Sequence, residues 1–309
     1  MRERHCAVSL VGAPTDVGAG CRGAGMGPEA LRVAGIARAL ENLGVPVRDG
    51  GNLNGPVNPD TPPRDGYRHF DQVLQWNRLL FQAVYAELAD GRVPVMLGGD
   101  HCLGLGSISA VARHCRERRR ALRVLWLDAH ADFNTASISP SGNMHGMPAA
   151  ALCGYGPDEL TRLSGAGPAL SAGDLRLIGV RSVDSQEKRL VRDAGIEVHD
   201  MRAIDEKGMR QVMRTALRDV ERGVHLHVSF DVDFLDPEIA PGVGTTVRGG
   251  PGYREAQLCM EMIADTGCLA SLDIVELNPA LDVRNQTAEV AVDLVASLFG
   301  KSTLMQAKD

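Results

Sequence analysis

Apolar runs rich in β-branched residues alternate with amphipathic helical patterns along the whole chain. The predicted strands are 7–12, 45–48, 93–97, 122–127, 175–180, 197–198, 225–230 and 270–277. The predicted helices lie near 28–43, 68–90, 103–117, 185–194, 208–222, 253–266 and 285–300. Repeated strand–helix alternation with almost continuously apolar strands predicts a mostly parallel α/β sheet covered on both faces. Periodicity alone leaves open whether this sheet is an open three-layer α/β/α structure or a (β/α)8 barrel.

Four stretches rich in Gly and Pro are predicted loops: 14–27, 49–67, 133–149 and 236–252. No linker or repeat divides the chain, so the sequence predicts a single domain spanning 1–309. Long loops within a compact domain are often functional. The loops 133–149 and 236–252 follow the most acidic strand ends, which makes them candidates for substrate contacts.

The composition excludes several classes of partner. The net charge of −6 argues against nucleic-acid binding, which normally needs a basic surface. The basic cluster 113–120 ends a predicted helix, where cations suit the helix dipole and solvent. Seven dispersed cysteines without C-x-x-C spacing predict free thiols in a reducing compartment. Residues 6–13 are too short an apolar run for a signal peptide or membrane span, so a cytoplasmic protein is predicted.

Carboxylates and imidazoles follow three of the predicted strands. They are His101 after a Gly-Gly-Asp turn, then Asp128, His130 and Asp132, and finally Asp231 and Asp233. Alternate side chains of an extended chain share a face, so residues two apart project together. Each element alone is more simply a helix cap or a satisfied core residue. Three such elements at one edge of a parallel sheet favour a metal site.

The number and charge of these ligands indicate two metal ions. Six ligands with four negative charges are too many for one ion but suit two divalent ions about 3.5–4 Å apart, bridged by carboxylates. Oxygen-rich ligation with imidazole and no thiolate favours Mn²⁺, with other first-row ions possible, and fits structural Zn²⁺ poorly. Such a pair lowers the pKa of a bridging water and supplies hydroxide near neutral pH.

Four motifs in this order resemble the ureohydrolase family, which includes arginases and agmatinases. They are Gly98-Gly-Asp-His101, Asp128-Ala-His-Ala-Asp132, Ser229-Phe-Asp-Val-Asp-Phe-Leu-Asp-Pro237 and Leu272-Asp-Ile-Val-Glu-Leu-Asn-Pro279. The resemblance extends from Gly12 to the last helix. It implies an open three-layer α/β/α sheet, a binuclear manganese site, and a homotrimer or homohexamer.

The resemblance also implies how the ligands divide between the ions. One ion would be held by His101, Asp128, Asp132 and Asp231. The other would be held by His130, Asp128, Asp231 and Asp233. Asp128 and Asp231 would therefore bridge the two ions, in agreement with the ligand count.

Glu276 follows an apolar strand, where a buried carboxylate needs a cationic partner. A guanidinium offers a planar fork suited to a carboxylate. On the sequence alone a structural pairing with a nearby Arg is an equal alternative. The family resemblance favours a guanidinium substrate.

The loop after the central motif carries polar residues that turn chemistry could explain. These residues are Asn134, Ser141 and Asn143. Their D-x-N and S-G-N-x-H-G spacing resembles arginases more than agmatinases. The resemblance implies that Asn134 and Ser141 contact a substrate α-carboxylate, with Asn143 in the same substrate-binding loop. It further implies that Asp184, assisted by Glu187, receives the α-amino group; for Asp184 a helix N-cap is the alternative.

Two further residues receive roles from the resemblance. His145 resembles a proton shuttle, which suits an imidazole titrating near neutrality, although a hydrogen bond that stabilises the loop is the alternative. Thr245 matches a threonine that lines the site. Four positions depart from the family pattern: Cys102, Ser182, Phe234 and Met147 stand where Ser, Asp, Gly and Gln are common. A Cys102 nucleophile lacks a paired His/Asn arrangement, so a small buried residue is the preferred interpretation.

The expected reaction is hydrolysis of L-arginine to L-ornithine and urea. By the resemblance, Glu276 orients the guanidinium, a bridging hydroxide attacks its carbon, and a proton reaches the leaving amine through Asp128. One alternative substrate is another guanidino compound, such as agmatine or guanidinobutyrate. A second alternative is a non-catalytic protein that senses metal or arginine. The complete ligand set, with Glu276 and His145 present, favours an enzyme.

Overall fold

The computed structural model describes residues 7–59 and 61–303 and contains one sheet of eight strands. The strands are β1 Val8–Ala13, β2 Val47–Asn52, β3 Val93–Gly98, β4 Leu122–Leu127, β5 Leu175–Val180, β6 Glu197–Asp200, β7 His225–Asp231 and β8 Leu269–Val275. Their spatial order is β2-β1-β3-β8-β7-β4-β5-β6, and every pair of neighbours is parallel.

Eleven α-helices among the described residues cover both faces of this sheet. They are α1 Gly27–Val33, α2 Ile36–Glu41, α3 Phe70–Ala89, α4 Gly104–Glu117, α5 Pro148–Leu152, α6 Asp158–Thr161, α7 Ser185–Asp193, α8 Met201–Lys207, α9 Met209–Ala216, α10 Tyr253–Asp265 and α11 Gln286–Leu298. One core lies between the sheet and helices α1, α2 and α8–α11, and the other lies beneath α3–α7. The expected three-layer α/β/α class is confirmed.

Burial on both faces explains why the strands are apolar without interruption. All six residues of β5 are buried, and so are all six of β1. Successive residues belong to opposite cores: Leu10 packs in the first and Val11 in the second. The outermost strands β2 and β6 lie at opposite ends of the order. The sheet is therefore open, and the barrel alternative is excluded.

Some local predictions were wrong in detail. The helix expected over 28–43 is divided into α1 and α2, because Gly35 between them has a φ of +84°, in the left-handed region. The edge strand expected at 45–48 is Val47–Asn52, so it occupies the start of the predicted loop 49–67. Exposure explains this error, since five of the six residues of β2 are exposed and show no apolar pattern. The short helices α5, α6 and α8 were not predicted.

The carboxyl ends of β3, β8, β7, β4 and β5 are consecutive neighbours in the middle of the sheet. The predicted site residues follow these five strands, so the topology places their segments along one edge. Within the described residues, no helix has both the length and the apolar character needed to cross a membrane. The six described cysteines are free thiols, whereas Cys6 lies outside the described residues.

Candidate metal centre and substrate pocket

Three carboxylates converge on His101, which lies in a one-turn 3-10 helix directly after β3. Its Nδ1 is 3.1 Å from Asp128 Oδ2, 3.0 Å from Asp132 Oδ2 and 3.0 Å from Asp231 Oδ2. All four side chains are buried. The structure thus brings together the four residues expected to hold the first ion.

A second group shares Asp128 with the first. His130 Nδ1 lies 3.0 Å from Asp233 Oδ2 and 3.4 Å from Asp128 Oδ1. The two oxygens of Asp128 therefore face different groups, as a bridging carboxylate requires. Asp231 faces His101 through Oδ2, and its Oδ1 accepts a hydrogen bond of 2.8 Å from the backbone N–H of Asp233. Asp128 Oδ1 likewise accepts a backbone hydrogen bond, of 2.6 Å from His130, but among the described residues the structure brings no second imidazole to Asp231. A bridging role for Asp231 remains a prediction.

Neighbouring residues orient these ligands. Ser229 Oγ lies 2.8 Å from His101 Nε2, which leaves Nδ1 directed at the carboxylates. The Trp126 ring stacks on the His101 ring at 4.2 Å and donates a 2.9 Å hydrogen bond from Nε1 to Asp128 Oδ2. The sequence interpretation missed both positioning residues. Each stands two residues before a ligand, so period-two alternation could have identified them.

Backbone conformation also contributes to the arrangement. Asp132 and Glu276 have φ values of +49° and +64°, in the left-handed region that non-glycine residues rarely adopt. Such strain costs about 1–3 kcal/mol and is concentrated at functional sites. Asp100, which was also missed, is the N-cap of the His101–Leu103 turn: its carboxylate accepts hydrogen bonds from the N–H groups of Cys102 and Gly18. The position of Asp100 next to His101 in the sequence was the signal that could have identified it.

The electrostatics of the cluster favour bound positive charge. Burial opposes ionisation of His130, but Asp233 and Asp128 outweigh it and raise the pKa of His130 to about 12. Burial and the adjacent Asp128 raise the pKa of Asp132 to about 7. Burial and the neighbouring carboxylates Asp233 and Asp128 also hold the pKa of Asp231 well above its usual value. Four carboxylates thus crowd around two imidazoles, and the raised pKa values of Asp132 and Asp231 show that full ionisation of these carboxylates needs more positive charge than the two imidazoles supply.

This donor set fits two divalent metal ions. In each group, the oxygen and imidazole nitrogen atoms lie within 4.8 Å of one another. One group comprises His101, Asp128 and Asp231, and the other comprises Asp128, His130 and Asp233. Carboxylate and imidazole donors without thiolate suit Mn²⁺ and related first-row ions. The bound cations would supply the positive charge that balances these buried carboxylates.

Glu276 lies beside the metal-ligand groups, three per cent exposed, immediately after β8. Its Oε1 accepts hydrogen bonds from the backbone N–H of His101 at 2.8 Å and from His145 Nδ1 at 3.0 Å. Its Oε2 accepts none from the described residues. Burial opposes the charge of His145, but Glu276 and nearby aspartates raise the pKa of this imidazole to about 9. Burial would raise the pKa of Glu276, but His145 lowers it below the ordinary value.

A cavity of about 130 Å³ leads from the metal-ligand groups towards the surface. The site residues that line it are His130, Asp132, Asp231, Asp233, Glu276, His145, Thr245, Asn134, Asp184 and Glu187. Asn134 and Asp184 contact each other at 3.4 Å, while Asn134 Oδ1 has no hydrogen-bond partner. Thr245 donates a hydrogen bond to Asp233 Oδ2 at 3.0 Å. The cavity thus joins the metal-ligand groups and Glu276 to a polar outer wall.

Other predicted contacts are placed differently. Both oxygens of Glu187 accept backbone hydrogen bonds, from Phe133 and Asp184, so Glu187 anchors the wall. Ser141 is exposed, accepts a bond from the Asn143 N–H, and is absent from the cavity lining. Asn143 lines an adjoining cavity that also reaches His145 and Glu276. Neither Ser141 nor Asn143 therefore borders the cavity beside Asn134.

The four departures from the family pattern leave the ligand groups intact. Cys102 is buried, and burial together with Asp100 holds the pKa of its thiol well above the usual value, so a thiolate nucleophile is disfavoured. Phe234 is fully buried against Gly179, where a Cβ would lie 2.4 Å from the Phe234 ring. Met147 is also buried. Ser182 alone lines the cavity, where the hydroxyl carries no charge.

The fold and site together are those of an α/β protein with paired metal-ligand groups beside a buried carboxylate. Comparison with known proteins gives a consistent family. The family model "Arginase family" matches residues 6–300. An arginase from Brucella melitensis is 45% identical over 307 residues, covering 97% of each protein.

Two solved structures are similar throughout. The native arginase of Bacillus caldovelox has a TM-score of 0.91 and 41% identity, covering 97% of this chain and 100% of that one. The Entamoeba histolytica arginase in complex with L-ornithine has a TM-score of 0.87 and 30% identity, with the same coverages. The chain belongs to the arginase family of metal-dependent hydrolases, which act on amidino bonds. The predicted family and enzyme class are confirmed.

Proposed function

We propose that this protein is an enzyme that hydrolyses L-arginine to L-ornithine and urea with two bound Mn²⁺ ions. The observation that carries the proposal is Glu276, a buried carboxylate with a free oxygen beside both metal-ligand groups. A planar guanidinium suits this acceptor in both charge and shape. Arginases that share at least two fifths of the sequence over nearly the whole chain support the same substrate.

The proposed ligand set combines the two groups with the family resemblance, which adds Asp231 to the second ion. His101, Asp128, Asp132 and Asp231 would hold one ion, and His130, Asp128, Asp231 and Asp233 would hold the other. When bound, such a metal pair supplies a hydroxide nucleophile near neutral pH. The protein contributes position, because a guanidinium is a poor electrophile and must be held close to the nucleophile.

The other residues would bind the two ends of arginine and donate a proton to the departing amine. Glu276 Oε2 would accept the guanidinium, while Asn134 and Asp184 would contact the α-carboxylate and α-ammonium groups. Beside Glu276, the pKa of His145 is about 9 in the metal-free protein, and we propose that this imidazole donates a proton to the departing amine. Thr245 would hold Asp233 in place through its hydrogen bond. Ser141 and Asn143 remain predicted substrate contacts, although neither lines this cavity.

A substrate panel tests this proposal. Protein freed of metal and reloaded with Mn²⁺ should release urea from L-arginine faster than from agmatine or guanidinobutyrate, since only arginine carries both α-substituents. Faster turnover of agmatine, which lacks the carboxylate, would contradict the assignment of Asn134, and faster turnover of guanidinobutyrate, which lacks the amine, would contradict that of Asp184. Absence of urea with both ions bound would favour a metal- or arginine-sensing protein.

We further propose a single domain over residues 1–309 that assembles as a homotrimer or homohexamer in a reducing cytoplasm. Relatives that align over 97% of the chain support the single domain, and six free thiols are compatible with a reducing compartment. Light scattering after size-exclusion chromatography would measure the assembly. A monomer at working concentrations would contradict it.

A further inference from the structure

Asp273 is a buried carboxylate that the proposed chemistry does not use. It lies in β8, three residues before Glu276, and is one per cent exposed. Its backbone pairs with Met96 in β3 and Ser229 in β7, so it occupies the centre of the sheet. A carboxylate in such a place is costly unless it is engaged by other groups. The groups that contact Asp273 therefore indicate its role.

The first contact joins β8 to the segment that carries His101. Ser107 Oγ donates a hydrogen bond of 2.6 Å to Asp273 Oδ1. Ser107 lies in the first turn of α4, which follows the His101–Leu103 turn directly, and it is also buried. One hydrogen bond therefore connects a residue six positions after a metal ligand to a residue three positions before Glu276.

The second contact involves β7, which carries two further ligands at its end. His227 Nε2 lies 3.3 Å from Asp273 Oδ2, close enough for an ion pair but without hydrogen-bond geometry, while His227 Nδ1 is 2.8 Å from Ser271 Oγ. His227 is fully buried and stands four residues before Asp231. Asp273 thus contacts one side chain on helix α4 and one on the neighbouring strand β7.

We propose that Asp273 is a positioning residue that holds the His101 segment, the end of β7 and Glu276 in register. It acts through Ser107 and His227 and contacts neither substrate nor metal. The inference rests on the proposed function, because Asp273 would maintain the distance between the proposed metal ligands and Glu276, the carboxylate that would bind the guanidinium. Sub-ångström errors in that spacing reduce catalysis, since the reacting groups must be closely aligned.

Four variants test the role. Asp273→Ala and Ser107→Ala remove the connection, whereas Asp273→Asn keeps an oxygen that can accept from Ser107. Ser109→Ala is the matched control: Ser109 is buried in the same helix but projects about 200° away from Ser107. Each variant is purified metal-free, and Mn²⁺ affinity is measured by equilibrium dialysis. Thermal midpoint, kcat and KM for arginine are then measured on the reloaded protein.

The Ala variants at 273 and 107 should lose about tenfold or more in Mn²⁺ affinity and in kcat, as when supporting residues of a metal site are removed. KM should change by less than about threefold, because Asn134 and Asp184 are untouched. Asp273→Asn should recover most of the loss, and Ser109→Ala should match the wild type. If Asp273→Ala does not fold, Ser107→Ala and Asp273→Asn still test the positioning role.

Wild-type Mn²⁺ affinity and kcat in a folded Ser107→Ala or Asp273→Ala protein with a lowered thermal midpoint would overturn the proposal. Equal losses in Asp273→Asn and Asp273→Ala would overturn it too, because charge would then matter in place of the hydrogen bond. The proposed function fails separately, if the wild type binds Mn²⁺ but releases no urea. In that case the positioning role is tested by the Mn²⁺ affinities from equilibrium dialysis alone.

Discussion

Replacement of Glu276 by Gln tests the substrate assignment most directly. The amide keeps the size of the side chain, and its oxygen can still accept hydrogen bonds from the His101 N–H and His145 Nδ1, which lie at 2.8 and 3.0 Å from Oε1. The change therefore removes mainly the negative charge. Since Glu276 is no proposed metal ligand, the metal content should be unaffected.

The expected loss follows from the burial of this carboxylate. Unit charges about 4 Å apart attract by about 4 kcal/mol at an effective dielectric constant of about 20. The side chain is only three per cent exposed, so solvent screens the attraction weakly. A neutral hydrogen bond from the amide would return about 1 kcal/mol. A net loss of about 3 kcal/mol corresponds to a decrease of about two orders of magnitude in kcat/KM.

Steady-state urea release over a range of arginine concentrations measures this decrease. Elemental analysis of the same samples should find equal manganese in wild type and variant. Glu159→Gln provides a control, because it removes the same charge from an exposed position on α6. A kcat/KM for Glu276→Gln within about threefold of the wild type, at full metal content, would refute the proposed guanidinium contact.

Four further predictions concern the proposed ligands and the pocket. Asp128→Asn should weaken Mn²⁺ binding and nearly abolish urea release, since Asp128 faces both groups; normal metal content and rate would contradict its assignment. His145→Asn should slow turnover without loss of metal. In metal-free protein, the pKa of about 9 means that charged His145 stabilises the fold by up to about 3 kcal/mol below pH 6.5, a contribution lost as pH rises through 9. Thermal unfolding of wild type and His145→Asn should therefore converge at alkaline pH. Asn134→Ala should raise KM for arginine but not for agmatine, and equal effects on both would argue against a carboxylate contact.

The sequence alone determined the fold class and the residues of the candidate metal-ligand groups. Continuous apolar runs require strands that are buried on both faces, as β5 is. The period-two spacing from Asp128 to Asp132 and from Asp231 to Asp233 determines which side chains leave a strand end together. Both signals are local, so a single chain contains them. The open form of the sheet came from the family resemblance, because periodicity is equally compatible with a barrel.

Only the tertiary structure decided which distant segments meet. The strand order places β8 between β3 and β7, which brings Glu276 to the His101 N–H across 175 residues. The path of the 133–149 loop leaves Ser141 outside the cavity lining, and one oxygen of Asp231 accepts a backbone N–H. Strand order and loop path depend on packing between residues far apart in the chain. The residue pattern predicts which face of a strand a side chain lies on. Which residues it contacts depends on how the whole sheet packs.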